Sequence, residues 1–233
     1  MAGSAFHLAA EKIITKARAI AAHMLQVQPD DLRYDEGVFS TSKTNRTLSM
    51  KELAAAALEP KNLPKDMEAG LFANAVYPAP VANYPNGVHI CELEIDRDTG
   101  QVQIVRYHVV DDVGTVINPL LMHGQVQGGI AQGVGQALME DIHFDAEGQL
   151  VTASFQDYAM PHAHDLCDIE VDANPVPTKT NPLGAKGVGE AGCVGALPAV
   201  VNALVDALSE FGVRHIEMPA TPERVWRAMQ GKA

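Results

Sequence analysis

Cysteine is scarce in this chain of 233 residues, and the three present, Cys91, Cys167 and Cys193, lie far apart with no C-x-x-C spacing. An odd, scattered set fits neither a disulfide framework nor a zinc or iron–sulfur site, so reduced thiols in a cytoplasm are expected. Positive charge is also in short supply, with 17 Lys and Arg against 29 Asp and Glu and a net charge of −12. An acidic surface of that size repels phosphate backbones and anionic lipid, which makes nucleic acid a poor partner. No apolar run approaches the ~20 residues that span a bilayer, and no basic segment followed by an apolar one opens the chain, so neither membrane insertion nor a leader is expected. G-x-S-x-G, H-E-x-x-H and the P-loop are all missing, which removes several hydrolase and NTPase readings.

What is present has the balance of a globular protein, 47% hydrophobic against 20% charged, at a length that suits one large or two small domains. Phe6, Ala9, Ile13, Ala17, Ile20 and Met24 recur every three or four residues, the period of an amphipathic helix. That helix starts almost at Met1, as though the chain began inside a fold. Asp35-Glu36-Gly37 reads as the turn of a small hairpin, and Ser49 with Glu52 as a capping box opening a short helix to Leu58. Pro60, Pro64, Pro78, Pro80 and Pro85 then interrupt any periodicity. This divides the chain into a helix–hairpin–helix segment over 1–60, a proline-rich connector over 61–87 and a sheet-led segment over 88–233. In the last, 88–96 and 101–110 alternate as a long antiparallel hairpin around Asp98-Thr99-Gly100. Helices are expected over about 121–141 and 195–211, the second stopped by Gly212. The fold class is α+β, with mixed hairpins and helices.

Two glycine-rich segments carry the chemistry. Residues 187–192 match G-x-G-x-x-G formally, but a dinucleotide site needs a hydrophobic strand just before it, and Pro175, Pro177 and Pro182 deny one. The glycines instead let the chain bend around a bound group while presenting Glu190 at the foot of a helix. A carboxylate there is suited to act as a base, or simply to stabilise the helix start. Residues 124–136 hold five glycines, each costing roughly 0.5–1 kcal/mol in a helix relative to Ala, so close packing against backbone or cofactor is needed to justify them. Glutamines such as Gln125 add neutral donors and acceptors. Asp111 and Asp112 point to opposite faces of a strand, which favours turn capping over cation binding. His162 and His164 form an H-x-H pair without a third ligand nearby, so solvated loop histidines are expected and no metal ligand is assigned to the protein.

Together, these segments resemble the C-terminal part of the molybdenum-cofactor-binding (large) subunit of the xanthine dehydrogenase and carbon monoxide dehydrogenase family of molybdenum hydroxylases. The ordered motifs are Gly3-Ser4-Ala5, residues 111–114 with Asn118-Pro119, 124–136, 154–161, 181–192 and 218–226. The resemblance implies the molybdenum-binding fold of that family and a molybdenum–pterin cofactor, molybdopterin itself or its cytosine dinucleotide. It also implies Glu190 as catalytic base, with Gln125, Gly189 and Ala191 binding the cofactor. It implies partner chains as well: one carrying the N-terminal half of the molybdenum-binding subunit, a 2Fe–2S subunit and an FAD subunit. The substrate would be an aldehyde, an N-heterocycle or carbon monoxide. The alternative is a non-catalytic assembly or structural chain that kept the fold.

Overall fold

The computed structural model describes residues 2–78 and 81–231. Two units emerge, Met1–Pro80 with Asn181–Leu183, and Val81–Thr180 with Gly184–Ala233.

In the first unit helix α1 spans Ala2–Leu25, but its buried residues concentrate in the C-terminal half, at Ala17, Ile20, Ala21, Ala22 and Leu25. Of the stripe read from the sequence, Ala17 and Ile20 are fully buried while Phe6 is 76% exposed. Strands β1 (Arg33–Asp35) and β2 (Val38–Ser40) pair antiparallel with Asp35 opposite Val38. The two residues between them, Glu36 and Gly37, both have positive φ, +44° and +82°. That is the backbone of a two-residue turn whose twist matches its strands. A two-residue strand β3 (Leu48–Ser49), absent from the sequence reading, adds to β2 and leads directly into α2 (Met50–Ala56). The capping box forms at that junction: the Ser49 hydroxyl accepts from the Glu52 amide at 3.2 Å, and the Glu52 carboxylate accepts from the Ser49 amide at 2.8 Å. Phe39, Leu53 and Ile20 lie at the centre of this unit's core.

The second unit is built on a long hairpin, β4 (Asn86–Ile95) and β5 (Val102–Asp112), in continuous register apart from a bulge at Glu92/Leu93. Asp96 holds the turn by accepting from the amides of Asp98 and Thr99. Strand β6 (Ile169–Ala173) pairs parallel to β5, so the sheet order is β4-β5-β6. Helix α3 spans Pro119–Leu138, with the Asn118 side chain accepting from the Leu121 amide and Pro119 in the first turn. Asn118-Pro119 is therefore a helix start rather than a turn. Helix α4 (Ala191–Leu208) begins four residues earlier than the sequence suggested and passes into a 3-10 turn, Ser209–Phe211, which Gly212 stops with φ +77°. A short helix α5 (Pro222–Met229), capped by Thr221, completes the unit.

The glycines of α3 have two different explanations. A Cβ on Gly129 would lie 2.9 Å from the Cys193 amide nitrogen, and one on Gly133 would lie 2.7 Å from the Ala196 Cβ. These residues let α3 and α4 touch backbone to backbone, with Val126, Ile130 and Val134 meeting Val200 and Leu204 in the core. Gly124 and Gly128 face the other way, and a Cβ on either would meet nothing within 4 Å. Packing within this chain does not require them.

One expectation needs correction. By length and composition Ala191–Phe211 is apolar enough to cross a membrane, with a mean hydropathy of 1.7. Part of the reason is that one stripe of α4, Ala196, Val200, Leu204 and Leu208, is fully buried in the core it shares with α3, while most of its other residues are partly or fully exposed in this chain.

Candidate active site

The segment leading into α4 is pinned at one end and open at the other. Gly184 has φ +67°, and its carbonyl accepts from the amides of Thr115 and Thr178. The Lys186 amide donates to the Val113 carbonyl at 2.8 Å, and its ammonium donates to the Asp112 carboxylate. Asp112 also accepts from the amides of Gly114 and Val176, at 2.9 Å each. Asp112 thus does the turn capping expected of the acidic pair. The Lys186 ammonium, chiefly, and then the Val176 amide hold its carboxyl at about 2, against the opposing effect of desolvation. Because this pKa is lowered by folding, the stability it brings is present above the ordinary carboxylate value and is lost as pH falls from about 4 towards 2. Asp112→Asn is expected to cost roughly 1.5–3 kcal/mol at neutral pH, the usual worth of a charged hydrogen bond. Denaturant melts should show the deficit shrinking across that acid window.

Beyond Lys186 the chain is bare. Gly187 and Gly189 are exposed, neither has positive φ, and a Cβ on either would meet nothing within 4 Å. Neither backbone strain nor packing among the described residues requires glycine at these positions. Both residues line a cavity of about 630 Å³ at the N-terminal end of α4, together with Glu190, Ala191, His89 and Asp111. Glu190 is the residue just before α4 and is exposed, and its side chain makes no capping hydrogen bond. Helix capping therefore does not account for it. Gln125 does not line the cavity; its Nε2 donates to the Gly189 carbonyl at 2.9 Å, tying α3 to the cavity rim. All four residues singled out from the sequence are thus brought together, Gln125 through Gly189.

Of two further cavity residues, His89 escaped the sequence reading, and Asp111 was read there as turn capping with Asp112, a role that Asp112 alone fills. Asp111, 2% exposed in its side chain, turns to the face opposite Asp112, and its Oδ2 has no hydrogen-bond partner. His89, 6% exposed, places Nε2 3.7 Å from Asp111 Oδ1 and Nδ1 2.7 Å from the Tyr107 hydroxyl. The available signal was the alternation of β4, which turns His89, Cys91, Leu93 and Ile95 to one face. The Cys91 thiol is pushed up to about 12, first by burial and then by the nearby Cys167, so it remains protonated at neutral pH.

Bare glycine backbone, a helix N-terminus and an unpaired buried acceptor suit a polar organic cofactor that the protein grips through hydrogen bonds rather than metal ligation. Elsewhere in this unit the His162–His164 pair does have a third neighbour, since Asp165 oxygens lie 3.4 Å from a ring nitrogen of each. Both histidine side chains are exposed there.

The chain matches the family of molybdopterin cofactor-binding domains over residues 1–167 and belongs to it. It is 38% identical over 231 residues to the carbon monoxide dehydrogenase large chain of Hydrogenophaga pseudoflava, covering 99% of this chain and 28% of that one. With the 6-hydroxypseudooxynicotine dehydrogenase complex subunit gamma of Paenarthrobacter nicotinovorans it shares 39% over 236 residues, covering 99% and 29%. The solved structure of reconstituted CO dehydrogenase from Oligotropha carboxidovorans superposes with a TM-score of 0.91 at 38% identity, over 99% of this chain and 28% of that chain. The mixed α and β architecture is therefore that of the molybdenum-binding subunit of CO dehydrogenase. This chain spans under a third of the length of these relatives.

Proposed function

We propose that this chain forms one side of the molybdenum–pterin site of a cytoplasmic molybdenum hydroxylase and supplies its catalytic base, Glu190. The observation that carries this reading is the cavity at the start of α4, where Glu190 stands among glycines that nothing in the chain itself requires. When bound, the cofactor supplies two-electron oxidation of the substrate with oxygen drawn from water. The chain's own residues do the rest. Gln125 fixes the Gly189 carbonyl, and so the curve of the rim. Gly189 and Ala191 offer backbone and a small side chain to the cofactor, and the Glu190 carboxylate takes up a proton during attack on an electron-poor carbon. A non-catalytic relative would have no use for a carboxylate held at that place without a capping role.

Electrons would leave through 2Fe–2S and FAD subunits, since the three free cysteines of this chain, Cys91, Cys167 and Cys193, are too few to ligate a cluster. The nearly equal likeness to a carbon monoxide dehydrogenase and to a 6-hydroxypseudooxynicotine dehydrogenase keeps the substrate class broad: carbon monoxide, an aldehyde or an N-heterocycle. Gln125→Ala in the assembled complex tests the binding half of the proposal. An amide can hold a cofactor or a loop but cannot act as a base near neutral pH. Elemental analysis should show a lowered molybdenum content, and full occupancy with normal turnover would refute the role.

A further inference from the structure

We propose that Asp111 is a second cofactor-binding residue of this cavity, its buried Oδ2 accepting from an N–H edge of an aminopyrimidine ring, with His89 and Tyr107 holding it in place. The inference rests on the proposed molybdenum–pterin function and extends it. A buried acceptor without a donor costs about 1–3 kcal/mol, and more when it is charged. Asp111 Oδ2 is such an atom, and it belongs to a residue on the wall of the cavity that also holds Glu190.

The surroundings are shaped to keep that carboxylate where it is. Gly87 lies opposite Asp111 across the β4–β5 ladder, and a Cβ there would fall on Asp111 Oδ1. Gly195, one turn into α4, leaves room for the His89 ring, which a Cβ would overlap. Also against the ring stands Tyr107, its hydroxyl pKa raised chiefly by burial, so it stays protonated. Donation from that hydroxyl to Nδ1 puts the remaining imidazole proton on Nε2, facing Asp111 Oδ1. His89 Nε2 thus stands beside Oδ1 at 3.7 Å, longer than a hydrogen bond, while Oδ2 has no partner among the described residues and is left for the ligand. A pterin carries an amino group beside a ring N–H, the donor edge that a carboxylate accepts best, whereas a cytosine offers the N–H of its amino group alone, because the ring nitrogen beside it is an acceptor.

The test uses the assembled complex with Asp111→Leu and Asp111→Asn. Leu removes an unpaired buried charge at similar volume, so the melting temperature of the cofactor-free complex should hold or rise. Cofactor loss, followed as pterin fluorescence released over time, should be faster by about 10- to 100-fold, the worth of one charged hydrogen bond. A purely structural aspartate would lower stability and retention together. Reloading cofactor-free complex with molybdopterin or with its cytosine dinucleotide identifies the ring: a penalty with both forms points to the pterin, a penalty with the dinucleotide alone to the cytosine. Retention within about twofold of wild type in both variants overturns the proposal, as does failure of both to assemble, which would assign Asp111 to folding. A wild-type complex lacking molybdenum and pterin would instead defeat the proposed function itself.

Discussion

In the assembled, molybdenum-loaded complex, Glu190→Gln is expected to lower the hydroxylation rate by about 10²- to 10⁴-fold, the typical worth of general-base catalysis. Gln keeps the size and hydrogen-bonding reach of Glu but has no basicity at neutral pH. Folding should be untouched, because Glu190 makes no capping hydrogen bond and its side chain is exposed at the cavity rim. The contribution it makes to α4 through its backbone, the Glu190 carbonyl accepting from the Val194 amide, is indifferent to the side chain. The loss should appear when substrate reduces the metal, while reoxidation by an artificial acceptor stays normal. Reduction within about threefold of wild type, at verified molybdenum occupancy, would make Glu190 a helix-start carboxylate and nothing more.

Gly192→Val should have the largest effect on the fold. A Cβ on Gly192 would fall on the Val126 carbonyl oxygen and lie 3.0 Å from the Ile130 nitrogen and 3.1 Å from the Gly129 Cα. All three are backbone atoms of α3 and cannot rotate away, so the helices must part. Parting them opens the contact between Val126 and Ile130 on one side and Ala196 and Val200 on the other. A cost of about 4 kcal/mol or more, or outright failure to fold, is expected from overpacking at such a crossing. Gly189→Ala, three residues away, is the contrast: its Cβ would enter open space, so thermal melts should match wild type while molybdenum content falls. If both variants melted like wild type, the backbone contact between α3 and α4 would not be the reason for glycine at 192.

The contrast between these glycines shows what the sequence could convey. The density of glycine over 124–136 and 184–192 marked both segments, but not which residues serve helix packing and which face a ligand. That division needs α3 beside α4, since Gly129 and Gly133 differ from Gly124 and Gly128 only in which face they occupy. Local signals fared best. The Ser49–Glu52 capping box and the turns at 36–37 and 96–100 are written in adjacent residues and formed as read. Strand β6 was not legible, because it pairs parallel to β5 from some sixty residues away and its five residues offer too short a run for periodicity. Helix α5 is also short, eight residues, and its start at Thr221-Pro222 was read only as part of a family motif. Asp111 shows the deeper limit: strand alternation sends it and Asp112 to opposite faces, yet only the fold shows that one face is a Lys186-sealed turn and the other a cavity.

The most direct test of the account is the molybdenum and pterin content of the native complex recovered through this chain. The account predicts molybdenum and released pterin in equal amounts, about one of each per chain. Recovery of the chain in an active complex without molybdenum or pterin would contradict it.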